Sequence, residues 1–107
     1  MFPSRVMIAE GVGQVIFWIT EGRLLANAVM RHLEEKRGAL PTNVCMSIRL
    51  EEESEGFTLC VTLEHKNGRP QAIASAVLDV LSFADTARWL WRKSGEREAS
   101  LVGSQRP

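Results

Sequence analysis

The chain has no tyrosine, only two cysteines, two histidines and four prolines, and no net charge. Each scarcity excludes something. Two cysteines in 107 residues are not a disulfide framework, so an apolar core must hold the fold. Thirteen Lys and Arg against thirteen Asp and Glu leave no uncompensated basic track, which a nucleic-acid footprint needs. No apolar run approaches the roughly 20 residues of a membrane span. The nearest is "GVGQVIFWIT", residues 11–20, and Glu10, Gly11, Gly13 and Gln14 break up its approach. The same residues spoil the uninterrupted apolar segment of a secretory signal. The expectation is a cytoplasmic protein that touches neither membrane nor nucleic acid directly.

Chemical motifs are missing too. There is no GxGxxG, GxxxxGK[ST], HExxH, CxxC or GxSxG. "GVG" at 11–13 is too short for a phosphate loop. Glu51, Glu52, Glu53 and Glu55 form an acidic run without the regular spacing of a Ca²⁺ loop. His32 and His65 have no sequence partner that would make a catalytic dyad. No enzyme activity, metal or cofactor is expected.

What is present is ordinary globular material, 45% apolar and 24% charged, enough for one domain of this length. Residues 43–65, "NVCMSIRLEEESEGFTLCVTLEH", carry the clearest pattern. Val44, Met46, Ile48 and Leu50 alternate with polar neighbours, and Phe57, Leu59, Val61 and Leu63 do so again after the "EESEG" turn. Period two on both arms predicts a β-hairpin with one apolar face. Cys45 and Cys60 fall on its polar face as possible cross-strand neighbours.

Upstream, "TEGRLLANAVMRHLEEKRG" reads as an amphipathic helix. Thr20 is placed as N-cap and Gly38 as the residue after its end. Leu24, Leu25, Ala28, Val29 and Leu33 share one face, with His32 near its middle. Downstream, Asn67-Gly68 makes a turn and Pro70 opens a long second helix that Gly95 should end. Its apolar stripe, Ala72 through Trp91, covers about half the circumference, wider than one sheet requires. Leu78 and Trp89 fall outside even that stripe, aligned eleven residues apart.

The expected fold is α+β: helix, β-hairpin, helix, spanning residues 20–95. An apolar arm (1–19), helical or irregular, precedes it, although a hairpin around Gly11 and Gly13 is an alternative. A Ser-, Gly- and charge-rich tail (96–107) should be disordered. No internal repeat is visible. A lone two-stranded hairpin with open edges is marginal. The expectation is therefore a homodimer, joined through hairpin edges or helices.

Two further patterns bear on function. "ARWLWRK" at 87–93 mixes Trp89 and Trp91 with Arg88, Arg92 and Lys93, residue types that stack on bases and pair with phosphates. A small nucleic-acid module is one alternative, and a small-molecule-binding subunit with its site at a dimer seam is another. The favoured reading is a non-catalytic protein-binding module. Phe17, Trp18, Leu78 and Trp89 are its candidate contacts, because aromatic anchors dominate interface energetics.

The stretch "VCMSIRLEEESEGFTLCVTLEHKNGRPQAIASAVLDVLSFADTARWLW", with the element order across residues 20–93, resembles small Pseudomonas regulatory proteins. These are quorum-sensing anti-activators of the kind that bind the receptor LasR. The likeness lies in length, order and character, and assigns no residue a role. It implies inhibition by occluding the dimerisation or ligand-binding domain of a transcription factor.

Overall fold

The computed structural model describes residues 2–104, with side chains described as far as residue 95. The elements run β1 (Ser4–Ala9), β2 (Val12–Ile19), α1 (Arg23–Glu35), a 3₁₀ turn (Arg37–Ala39), β3 (Val44–Glu53), β4 (Gly56–His65) and α2 (Pro70–Ser104). The order is β-β-α-β-β-α, not α-β-β-α. The supposed arm is a second hairpin, and the four strands form one antiparallel sheet in the order β1-β2-β4-β3. The second hairpin thus finds its partner within the chain.

The β1–β2 hairpin turns on Glu10 and Gly11, both with positive φ (46° and 81°). Two consecutive positive φ values are those of a type I′ turn, whose twist matches paired strands. Ala9 faces Val12 across it. The β3–β4 hairpin follows the alternation read from the sequence. Its register places Cys45 opposite Glu64 and Cys60 opposite Arg49. The two thiols are therefore about 13 Å apart along the strands, beyond the reach of a disulfide, and they are not neighbours. Both are free.

Alternation assigns the sheet's two faces. Gly13, Val15, Phe17 and Ile19 of β2 lie beside Leu63, Val61, Leu59 and Phe57 of β4, and Met46, Ile48 and Leu50 of β3 continue that face. Both helices cover it. From α1 come Leu25, Ala26, Val29 and Leu33, and from α2 come Ile73, Ala76, Val77, Val80, Ala84 and Ala87. Each fully buried Val, Leu, Ile or Phe stabilises the fold by about 1.5–3 kcal/mol. Leu24, placed on the buried face by its spacing, points to solvent instead. The first helix starts later than Thr20, with Gly22 in the cap position, and ends at Glu35, so Gly38 lies in the 3₁₀ turn.

The placement of α2 depends on one missing side chain. A Cβ on Gly13 would lie 2.8 Å from Ile73 Cγ2 and 3.0 Å from Val77 Cγ2. The helix therefore rests directly on the β2 backbone. Its start is fixed by a second contact. The Gly68 Cα lies 2.8 Å from where a Gly11 Cβ would be, and the His65 N–H donates to the Gly11 carbonyl at 3.1 Å. Buried His65 completes the corner. Its Nδ1 accepts from the Asn67 N–H (3.0 Å) and the Arg69 N–H (3.4 Å), so a neutral ring carries its proton on Nε2.

From Pro70 the helix runs 35 residues, roughly 52 Å at 1.5 Å per residue. The ten-residue strands span only about 33 Å. Helix α2 accordingly does not stop at Gly95 but continues to Ser104. That backbone replaces the start of the expected disordered tail; residues 105–107 lie outside the described residues. No helix among the described residues is long and apolar enough to cross a membrane.

Gly13→Val should cost about 1–3 kcal/mol by overpacking the α2–β2 contact, read from denaturant midpoints. Gly38→Ala, which meets nothing within 4 Å, should change stability by less than about 0.5 kcal/mol.

Candidate interaction surface

The sequence-predicted contacts separate in space. Phe17 is core, 1% exposed, and packs edge-on against Phe2 with ring centroids 6.0 Å apart. It cannot touch a partner without opening the fold, so it leaves the candidate set. Trp18, one residue later, lies on the opposite, helix-free face of the sheet beside Thr58, and is 40% exposed. Leu78 and Trp89 stand outward on α2, 67% and 57% exposed. The structure brings Leu78 and Trp89 together on one surface, and leaves Trp18 on the other side of the sheet.

Leu78, Leu81, Ser82, Asp85, Thr86 and Trp89 line one open groove along α2. Their spacing of three and four residues puts them on one helix face, turned away from the buried stripe. The groove is apolar at Leu78, Leu81 and Trp89 and carries one carboxylate, Asp85. Asp85 has no ion-pair partner among the described residues.

Beyond Ala87 the helix runs past the sheet's cover. Every residue from Trp89 to Gly95 is exposed, Leu90 and Trp91 among them. The sequence counted both in the buried stripe. Periodicity gives the direction in which a side chain points, not whether anything lies there, and here the sheet has ended.

Two of the three basic residues nearby have partners. Arg88 reaches Glu21 at 2.7 Å, with both side chains under one-third exposed, and its guanidinium lies 4.7 Å from the Phe2 ring centre. Lys93 lies over the Trp89 ring at 5.8 Å. Arg88 therefore ties α2 to the chain's N-terminal residues and to the β2–α1 loop, and does not face outward for a phosphate. This takes Arg88 out of the basic and aromatic track that the nucleic-acid alternative requires.

No cluster of three or more His, Cys, Asp or Glu that could hold a metal occurs among the described residues. His65 is a structural acceptor. His32 is half-buried on α1, its Nε2 enclosed without a hydrogen-bond partner.

Another set of exposed apolar residues was not singled out from the sequence. Val6 and Ile8 of β1 pair with Val15 and Gly13, so they lie on the helix-covered side of the sheet. They remain 42% and 47% exposed, because α2 sits over β2 and leaves the edge strand open. Met7, on the other face, is 52% exposed. The chain matches no protein-family model, no curated protein and no solved structure.

Arg88→Ala should destabilise by about 1–2 kcal/mol, through loss of a partly buried ion pair and its aromatic contact. Exposed Arg92→Ala should stay within about 0.5 kcal/mol of the parent. Thermal or urea unfolding of the two variants provides the comparison.

Proposed function

We infer that the protein is a non-catalytic regulator that binds another protein through the outward face of α2. The observation that carries this reading is the exposure of Leu78 and Trp89, aligned on the outward face of a helix that outruns its own domain, with Leu90 and Trp91 exposed where the sheet has ended. Large apolar side chains left in water are a standing cost, and a contiguous set of them on a rigid helix suits a partner's apolar groove. The helix is anchored at its first turns and needs no folding on binding, so the ordering cost of docking is small. Asp85, in the middle of the groove, selects a partner that places a cation or N–H donor opposite it, since an uncompensated buried carboxylate would oppose docking.

The mode of action is occlusion. A small protein that covers an apolar surface inhibits whatever the covered surface was needed for. The sequence resemblance to quorum-sensing anti-activators supplies a specific partner class, a transcription factor whose dimerisation or ligand-binding domain would be blocked. Binding through Leu78 and Trp89 is then the common element, whichever such factor is bound.

The test is quantitative binding to the purified ligand-binding domain of a quorum-sensing receptor from the native host. Trp89→Ala and Leu78→Ala should each weaken it at least about tenfold, as expected for anchor residues, with unfolding midpoints unchanged. Affinity should fall little between about 50 and 200 mM salt, where a phosphate-binding surface would lose orders of magnitude. Binding unaffected by both substitutions, or no binding to the receptor domain, would overturn this reading.

A further inference from the structure

We propose that β1 is a self-association seam, at which two copies of the chain pair their edge strands across a twofold axis into one eight-stranded sheet. The argument begins with the backbone. The Trp18 N–H donates to the Pro3 carbonyl at 3.1 Å, and Pro3 and Trp18 are opposite in the β1–β2 register. In an antiparallel pair, hydrogen-bonded and non-bonded positions alternate. Arg5, Met7 and Ala9 therefore direct their N–H and C=O groups inward to β2. Ser4, Val6 and Ile8 direct theirs outward from the sheet edge, where no described strand lies.

The other edge is treated differently. On β3, Glu51, Glu52 and Glu53 are exposed, Arg49 pairs with Glu51 and Glu52 pairs with Arg23. The Val44 N–H is already taken by the Pro41 carbonyl at 3.2 Å. Such charges keep foreign strands off an edge. The middle of β1 holds Val6, Met7 and Ile8 and has neither a charge nor a proline.

A second copy fits this edge by charge as well as shape. Arg5 lies near one end of the strand and Glu10 just past the other, and neither has an ion pair among the described residues. Antiparallel pairing of the strand with itself brings Arg5 of one chain, directly opposite Ala9 of its mate, within one residue of the mate's Glu10, at both ends. With the twofold on Met7, Val6 meets the mate's Ile8 on the helix side, as a hydrogen-bonded pair. Ser4 then falls opposite Glu10, not opposite an apolar side chain. The axis is normal to the sheet, so both α2 helices lie on the same side.

The spacing is consistent with this arrangement. Strands are about 4.8 Å apart, so the two β2 strands, and the α2 helices that rest on them at Gly13, come to lie about 14 Å apart. That exceeds the usual 8–10 Å for touching helices, and Val6 and Ile8 of both chains floor the space between them. The outward grooves that carry Leu78 and Trp89 stay open above. The seam gathers two docking faces onto one platform and does not use Trp89, so the dimer and the proposed docking stand or fall separately.

Two measurements test the seam on the full chain. In a Cys45→Ser background, Met7→Cys places two thiols at a non-hydrogen-bonded pair, where Cα atoms are about 4.5 Å apart and a disulfide can close. Mild oxidation should convert most of this variant to a covalent dimer, whereas Arg5→Cys in the same background, facing the mate's Ala9, should cross-link several-fold less. Sedimentation equilibrium should show the parent chain dimerising, with Val6→Lys weakening the association at least about tenfold while its circular dichroism is unchanged. A parent chain that stays monomeric on concentration, a Met7→Cys chain that cross-links no better than Arg5→Cys, or a folded Val6→Lys chain with undiminished dimerisation would each overturn the proposal. Trp89→Ala should leave the dimer intact, which separates a failed seam from a failed docking face.

Discussion

The contact between α2 and the bare backbone of β2 at Gly13 determines most of the molecule's surface. A helix that approaches this closely buries Ile73 and Val77 directly on the strand. Small residues at Ala76, Ala84 and Ala87 keep it close further along. The Gly11–Gly68 approach and the His65 acceptor fix where the helix begins. With its start pinned and its line set over β2, two consequences follow. The helix does not cover β1, so Val6 and Ile8 stay exposed. It also outruns β2, eight residues or about 26 Å, so Leu90 and Trp91 have no strand beneath them. Both exposed surfaces follow from one placement.

What the sequence made legible follows the same physics. The β3–β4 hairpin was readable because its outer face is polar, so period two survives in the letters. β2 was not, because it is a central strand with apolar residues on both faces. Val15, Phe17 and Ile19 enter the core while Ile16 and Trp18 face the open side, and the alternation disappears into "VIFWI". The same loss of phase explains why Phe17 and Trp18 could not be told apart as candidates. β1 is six residues with a three-residue apolar centre, too short to show a period. Its strand character lies in its pairing and in the Glu10-Gly11 turn, whose φ values the letters E and G suggest only weakly.

Helical phase was more reliable than helical extent. Leu78 and Trp89 were assigned to an outward line from 100° geometry alone, and they are outward. Leu90 and Trp91 were assigned inward by the same geometry, and point where the sheet no longer extends. Gly95 was a reasonable stop by residue preference, yet a glycine within a helix costs only about 1 kcal/mol relative to alanine, which neighbouring turns offset. The cysteines make a parallel case. Both are on the polar face as expected, but face membership carries no information about register, and four residues separate their levels in the ladder.

The backbone also repeats where the sequence does not. Each half of the chain is a β-β-α unit, and their second strands, β2 and β4, pair at the centre of the sheet. Such a doublet is nearly symmetric, so its two outer strands should be equivalent, and they are not. The outer strand of the second unit is long and charged, and the outer strand of the first is short with an uncharged centre. This asymmetry matters for assembly. If both edges were open, chains could pair head to tail and propagate without limit, as aggregating sheets do. If β1 is the edge that accepts a strand, as proposed above, pairing would use the same surface on both chains. A twofold contact of that kind is closed, so growth would end at two copies. The acids on β3 would then limit the assembly proposed for β1.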